Sequence, residues 1–169
     1  MGRFALSSGP IVRIGNRMFF YWEQHNLVFA NNSKLSSLGF EKSGNIYKRF
    51  VNRKEIDSAY KVDGYYGEYK GFKVRIGEFK ENSSKIYVMF DSETDGIAAG
   101  IKPIIDPYDK CYLIYEAFVS ESKVDNIYEV RRAAKGFPFQ SPEIVYHKKN
   151  GKWLPYHELG APLKDDEWL

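Results

Sequence analysis

The sequence predicts an α+β protein: one antiparallel, β-rich domain over residues 1–169, built from two related units, each a β-hairpin plus a helix. Three observations carry this. The chain holds 13 Tyr, 12 Phe and 3 Trp, and aromatic side chains favour half-buried strands. Short apolar runs are separated by tight-turn pairs such as Gly15-Asn16 and Asn150-Gly151, the pattern of hairpins. The third is a self-match: residues 46–62 read IYKRFVNRKEIDSAYKV and residues 114–130 read IYEAFVSESKVDNIYEV, seven of 17 positions being identical at an offset of 68. Collinear echoes accompany it, and Val12-Arg13-Ile14-Gly15 recurs as Val74-Arg75-Ile76-Gly77. The repeat so defined spans 11–62 and 72–130, with a C-terminal β-hairpin in 136–157.

Taken in order, 11–14 and 17–22 form a hairpin across Gly15-Asn16, and 27–30 is a third strand. Residues 31–38 read as a short helix capped by Asn32 or Ser33 and stopped by Gly39. Ser43-Gly44-Asn45 joins 40–42 to 46–51. Asn52 and Glu55 have the spacing of a capping box, and Ile56, Ala59 and Tyr60 make an i, i+3, i+4 stripe, so a helix is expected over 53–62. The second copy repeats the logic with Ser120 or Ser122 as cap and Val124, Ile127 and Tyr128 as stripe. In the strand around 72–76, Phe72, Val74 and Ile76 point one way and Lys73 and Arg75 the other. Residues 18–22 and 86–90 are apolar on both faces, as strands covered on both sides are. Residues 91–110 read as loop with about one helical turn, and Asn150-Gly151 closes the last hairpin.

Composition narrows the function. A hydrophobic fraction of 43% with 28% charged residues is that of an ordinary soluble domain, and no run approaches a membrane span. The N-terminus lacks the apolar stretch of a signal peptide, and the single cysteine, Cys111, allows no disulfide within the chain, so a reduced, cytoplasmic location is expected. Cys111 itself, in the run CYLIY, reads as a buried small hydrophobe. HExxH, CxxC, GxGxxG and GxxxxGK[ST] are all missing, so no enzymatic activity and no cofactor are expected. His147, His157 and Glu158 are the nearest approach to a metal or catalytic cluster, and dispersed surface histidines are the preferred reading. Asp91-x-Glu93-x-Asp95-Gly96 begins like a calcium loop, but Lys102 stands where the closing glutamate belongs, so no metal site is assigned.

Binding remains. Residues 1–84 carry a net charge of +6 and residues 85–169 one of −3. Between the copies Lys48 becomes Glu116, Arg53 becomes Glu121 and Lys61 becomes Glu129. This points to an acidic face on the second copy that docks a basic protein, with Tyr112, Tyr115, Glu116, Glu121, Asp125 and Glu129 as its anchors. The alternative is a single-stranded nucleic-acid face of Tyr69, Lys73, Arg75 and Phe79 on one strand. The mild net charge of +3 counts against nucleic acid as the main partner.

The run LGFEKSGNIYKRFVNRKEIDSAY (38–60), with YKGFKV (69–74) and KGFPF (135–139), resembles the small cytoplasmic immunity proteins that accompany bacterial polymorphic and contact-dependent toxins. The resemblance is one of style along much of the chain and rests on no diagnostic motif. It implies a non-catalytic inhibitor that binds the toxin domain of its own system, and it carries over no individual residues.

Overall fold

The computed structural model describes residues 9–79 and 83–164. The chain forms β1 (Ile11–Ile14), β2 (Arg17–Trp22), β3 (Leu27–Ala30), β4 (Glu41–Ser43), β5 (Ile46–Phe50) and β6 (Ser58–Tyr69). It continues through β7 (Phe72–Phe79), β8 (Lys85–Phe90), the short helix α1 (Glu93–Ala98), β9 (Ile104–Ile105) and β10 (Leu113–Ser120). The last strands are β11 (Val124–Ala133), β12 (Ile144–Tyr146), β13 (Lys148–Lys149) and β14 (Lys152–Trp153). The described residues are thus mostly antiparallel sheet with few helices. None of these helices is long and apolar enough to cross a membrane.

Twelve strands make one sheet, with the path β4-β5-β3-β2-β1-β6-β7-β8-β10-β9. β6 is where it branches. Its first residues pair with β1 (Ile11↔Tyr60) and its last with β7 (Tyr69↔Phe72), while β11 runs along its other edge from Tyr69 to Tyr60. β12 extends the sheet beyond β11.

The tight turns form, but the hairpin expected over 136–157 shrinks to β13 and β14, two residues each, because Ile144–Tyr146 pairs with β11 instead. Gly15-Asn16 joins Ile14 to Arg17, and Gly44-Asn45 joins Ser43 to Ile46. Asn150 and Gly151 both take positive φ to close β13 on β14, the left-handed pair that such a turn requires. Asn32 caps a two-turn 3-10 helix at Ser33–Leu38 that ends at Gly39, φ 81°.

The helix expected over 53–62 does not form. Asn52 and Glu55 do make the capping box, but they cap only the 3-10 turn Arg53–Glu55, and β6 follows. The reason lies in the stripe: Ala59 and Tyr60 are both buried, on opposite faces of one strand, in two different cores. A strand covered on both sides satisfies adjacent apolar residues as well as a helix does, and Tyr60, Val62, Tyr65, Tyr66 and Tyr69 favour it. In the second copy the 3-10 turn is Glu121–Lys123, without a side-chain cap from Ser120, and β11 follows. Val124 and Ile127 reach the same core at i, i+3 because a bulge between Asp125 and Tyr128, with Asn126 at φ 49°, restores the face. Both matched segments therefore run strand, 3-10 turn, strand.

The core lies on both sides of the sheet. Val12, Phe19, Tyr21 and Val28 fill one side of the first half, with Leu35 and Phe40 packed over them. Ile11, Met18, Phe20 and Tyr60 fill the other, covered by Leu159 and Leu163. The second half has one large core, in which Val74, Ile76, Ile86, Val88 and Tyr115 meet Val124 and Ile127.

The segment from His147 to Trp153 closes that core. Lys148 is buried, and its Nζ donates to the Val124 carbonyl (2.8 Å), the Glu121 carbonyl (3.0 Å) and Glu121 Oε1 (2.7 Å). Trp153 donates from Nε1 to the same carboxylate (2.6 Å) and stacks on Phe79, ring centroids 4.7 Å apart. Removing one partner of such a pair leaves a desolvated charge behind. Lys148→Ala is expected to lower unfolding stability by about 3 kcal/mol, the lower end for a buried pair because Glu121 keeps some solvent contact. Chemical denaturation checks this, and a loss below about 0.5 kcal/mol, the scale of an exposed ion pair, contradicts it.

Candidate functional site

The six residues expected to form an acidic docking face do not share one exposed surface. Tyr115 is buried, its hydroxyl 3.3 Å from Glu93 Oε1. Glu116 accepts a short hydrogen bond from the Tyr87 hydroxyl, and burial together with that carboxylate pushes the tyrosine up to about 12. Glu121 holds Lys148 and Trp153, and Asp125 accepts from the Gly151 amide at 2.9 Å and 3.0 Å. Glu129 is buried between Arg131 Nη2 (2.9 Å) and His147 Nε2 (3.4 Å). Only Tyr112 stands clear, 65% exposed. Glu121, Asp125 and Glu129 do meet a basic segment, but it is the chain's own, from His147 to Lys152. In the first half the matching cation Arg53 instead lies over Phe137, 4.4 Å from the ring centroid, and 3.7 Å from Glu23.

The alternative strand face also divides. Lys73 and Arg75 point outward, whereas Tyr69 and Phe79 are buried in the core of the second half. A register shift between Ile76 and Phe79 turns Phe79 inward.

A cleft of about 390 Å³ opens where β11 and β12 meet β1, β2 and the C-terminal segment. Tyr60, Tyr65, Glu129, Arg131, His147 and His157 supply its polar groups. Arg131 donates to Ser141 Oγ (2.7 Å) and to Glu129, and its guanidinium lies 4.2 Å from the Tyr60 ring centroid. Burial works to raise the Glu129 pKa, but the hydrogen bond with His147 and the charge of Arg131 outweigh it and hold the carboxyl below its usual range. Burial pushes Tyr60 and Tyr65 well above the usual phenol range. Glu158 lines a different cavity, beside Arg17 and Tyr47, so the sequence-level trio of His147, His157 and Glu158 shares no one cavity. Among the described residues no group of three His, Cys, Asp or Glu side chains is placed to hold a metal ion. Glu129, Arg131 and His147 are turned on one another, which is the arrangement of a structural polar network.

The surface that stands out lies at the sheet's edge. β9 and β10 form a projecting arm, with Leu113 opposite Ile105 and Ile114 opposite Ile104. Ile105 and Leu113 are on one face, 64% and 54% exposed, and Ile104, 46% exposed, is on the other. Tyr108 and Tyr112 sit in the turn between the strands, Tyr108 being 98% exposed. Asp106 Oδ1 accepts from the amides of Tyr108 (2.8 Å) and Asp109 (3.3 Å), and Asp109 Oδ1 from that of Cys111 (3.0 Å), so the turn fixes itself. Cys111 is exposed in this turn and not buried as its apolar neighbours implied, because β10 begins only at Leu113. Beyond Ile114, β10 pairs with β8 alone, which leaves its other edge open among the described residues. The sequence carried this signal in two apolar runs, Ile104-Ile105 and 111–115, around the polar turn 106–110.

The cleft yields a pH test. Glu129 has a folded pKa below its unfolded value, so the stability it contributes is complete above the ordinary carboxylate range and is lost as pH falls through the depressed folded value. Glu129→Gln is expected to be less stable than the native chain at neutral pH, with the gap narrowing below about pH 4.5 in urea titrations. A gap that stays constant down to about pH 3 contradicts this assignment.

A comparison with curated proteins and one with solved structures return no match. Residues 13–136 match a protein family described as "Uncharacterised conserved protein UCP033725"; since the match covers more than half of the sequence, the chain belongs to that family.

Proposed function

We propose that this protein is a non-catalytic binding protein whose β9–β10 arm inserts into an apolar groove on a folded protein partner. The observation that supports this most is the exposure of large apolar side chains on both faces of a two-stranded arm, Ile105 and Leu113 on one and Ile104 on the other. Water on both faces of such a hairpin is costly, and exposed apolar patches of this kind mark interaction sites. The hydrogen bonds of Asp106 and Asp109 order the backbone of the turn that carries Tyr108 and Tyr112, which reduces the entropy lost on docking. The open edge of β10 offers a partner strand backbone groups to pair with.

The resemblance to immunity proteins supports a toxin domain as that partner and inhibition as the outcome. The lone cysteine, Cys111, exposed on the arm, supports a reducing compartment such as the cytoplasm.

A photo-crosslinking residue placed at Tyr112 or Leu113, in cells that make the protein, is expected to join it to one and the same protein from both positions. That protein, purified, is expected to bind the native chain and to lose about thirtyfold or more in affinity to Ile105→Asp or Leu113→Asp, the scale of an interface hot spot. Equal affinity for both folded variants refutes the arm as the interface. If the partner is an enzyme whose activity falls on binding, the inhibitor reading holds; if its activity is unchanged, that reading fails.

A further inference from the structure

The outer face of the second half carries a row of side chains on a surface separate from the arm. Residues directly opposite in antiparallel strands point to the same side of a sheet. The register therefore aligns Tyr146, Tyr128, Tyr66, Arg75, Met89 and Glu116 across β12, β11, β6, β7, β8 and β10. At about 4.8 Å per strand the row is roughly 24 Å long.

Its chemistry alternates. The Tyr66 and Tyr128 rings stack with centroids 5.7 Å apart, and Tyr128 and Tyr146 follow at 5.5 Å. A lysine closes each end of this triad: Lys73 Nζ lies 4.6 Å from the Tyr66 centroid and Lys149 Nζ 4.7 Å from that of Tyr146. Arg75 comes next, and beyond it the Tyr87 ring centroid lies 4.8 Å from that of Phe118, a residue 58% exposed. Gly77 leaves room for this second pair, since a Cβ there would fall 2.7 Å from Tyr87 Cδ1. The carboxylates nearby are engaged: Glu116 by the Tyr87 hydroxyl, Glu68 by Asn126 Nδ2 (2.9 Å) and Asp91 by Arg75 at 3.7 Å. Against these three carboxylates stand Lys73, Arg75, Lys85 and Lys149, so cations hold a small excess on the face.

We propose that this face binds single-stranded nucleic acid, its bases against the ring triad and Phe118, its phosphates on Lys73, Arg75 and Lys149. Such a strand is a polyanion with an aromatic face at every repeat, and the row offers rings and cations in the same alternation. The lysines over the end rings are held by weak, exposed cation–π contacts. Each can swing to a phosphate while a base takes its place on the ring. A duplex hides its base faces and meets only the cations, so it binds less well. The site shares no residue with the arm proposed for protein docking.

The probes are fluorescein-labelled 12-mers of oligodeoxythymidylate and oligouridylate, with a 12-base-pair duplex as comparison, read by fluorescence anisotropy. At least one single strand is expected to bind more tightly than the duplex. With three phosphate contacts its affinity falls about twentyfold between 50 and 200 mM salt, at a slope of about −0.7 per contact. Lys73→Glu combined with Lys149→Glu, both on exposed side chains, is expected to weaken binding about tenfold or more, and Phe118→Ala at least about fivefold. A control of equal charge, Lys42→Glu with Lys54→Glu in the first half, is expected to keep most of the affinity. The proposal is overturned if neither single strand binds at 50 mM salt, if the duplex binds as tightly, or if the control pair weakens binding as much as the Lys73/Lys149 pair.

Discussion

The second half of this protein depends on one buried ammonium group. Lys148 gives up water in a site where two carbonyls and a carboxylate replace its hydration, and a lysine with a solvent route open to it takes such a position only where all its donors are met. The contact holds β13 and β14 against the turn Glu121–Lys123. From that anchor Trp153 reaches Phe79 and His147 reaches Glu129, so the inner face of β6, β7 and β11 is sealed by residues far along the chain. Once the C-terminal segment is fixed there, its continuation lies over Met18 and Phe20, with the Gly160 and Leu163 amides donating to the carbonyls of Met18 and Asn16.

This changes the meaning of the charge difference between the two matched segments. At Glu121 and Glu129 acidic residues replace basic ones where the second half receives the segment from His147 to Lys152, whereas Glu116 meets Tyr87; among the described residues the equivalent Arg53 lies over Phe137. Glu121 and Glu129 serve the fold, and the chain's capacity to bind others lies where the fold leaves chemistry unused. Two such places remain, an apolar arm with a hydrogen-bonded turn at its tip and an outer sheet face of rings and cations. β10 contributes to both, and its inner side chains Tyr115 and Val119 are locked into the core.

Local rules were legible wherever chemistry within a few residues decides the outcome. Gly15-Asn16, Asn150-Gly151, the Asn52–Glu55 capping box and the Gly39 stop all behave as their sequences dictate, because a positive φ or an unpaired amide constrains them on the spot. The stripes at Ile56 and at Val124 were misleading for a physical reason. An i, i+3 spacing is shared by a helix face, by a strand buried on both sides and by a strand with a bulge, and only tertiary contacts choose among them. Exposure was hidden for the same reason: Glu129 and Tyr115 look like surface anchors until one knows that β11 and β10 turn them inward. The arm escaped notice because Ile104-Ile105 is a strand of two residues, too short to have a period.

The central claim is that Glu121, Asp125 and Glu129 of the second half are spent within the fold. Carbodiimide labelling of carboxylates in the native protein, read by mass spectrometry residue by residue, tests it directly. The account predicts slow modification of Glu121, Asp125 and Glu129 and fast modification of Glu143 and Glu158, which the fold leaves exposed. Labelling of Glu121 and Glu129 as fast as Glu143 would mean that the C-terminal segment does not dock on them, and the reassigned surface would fall with it.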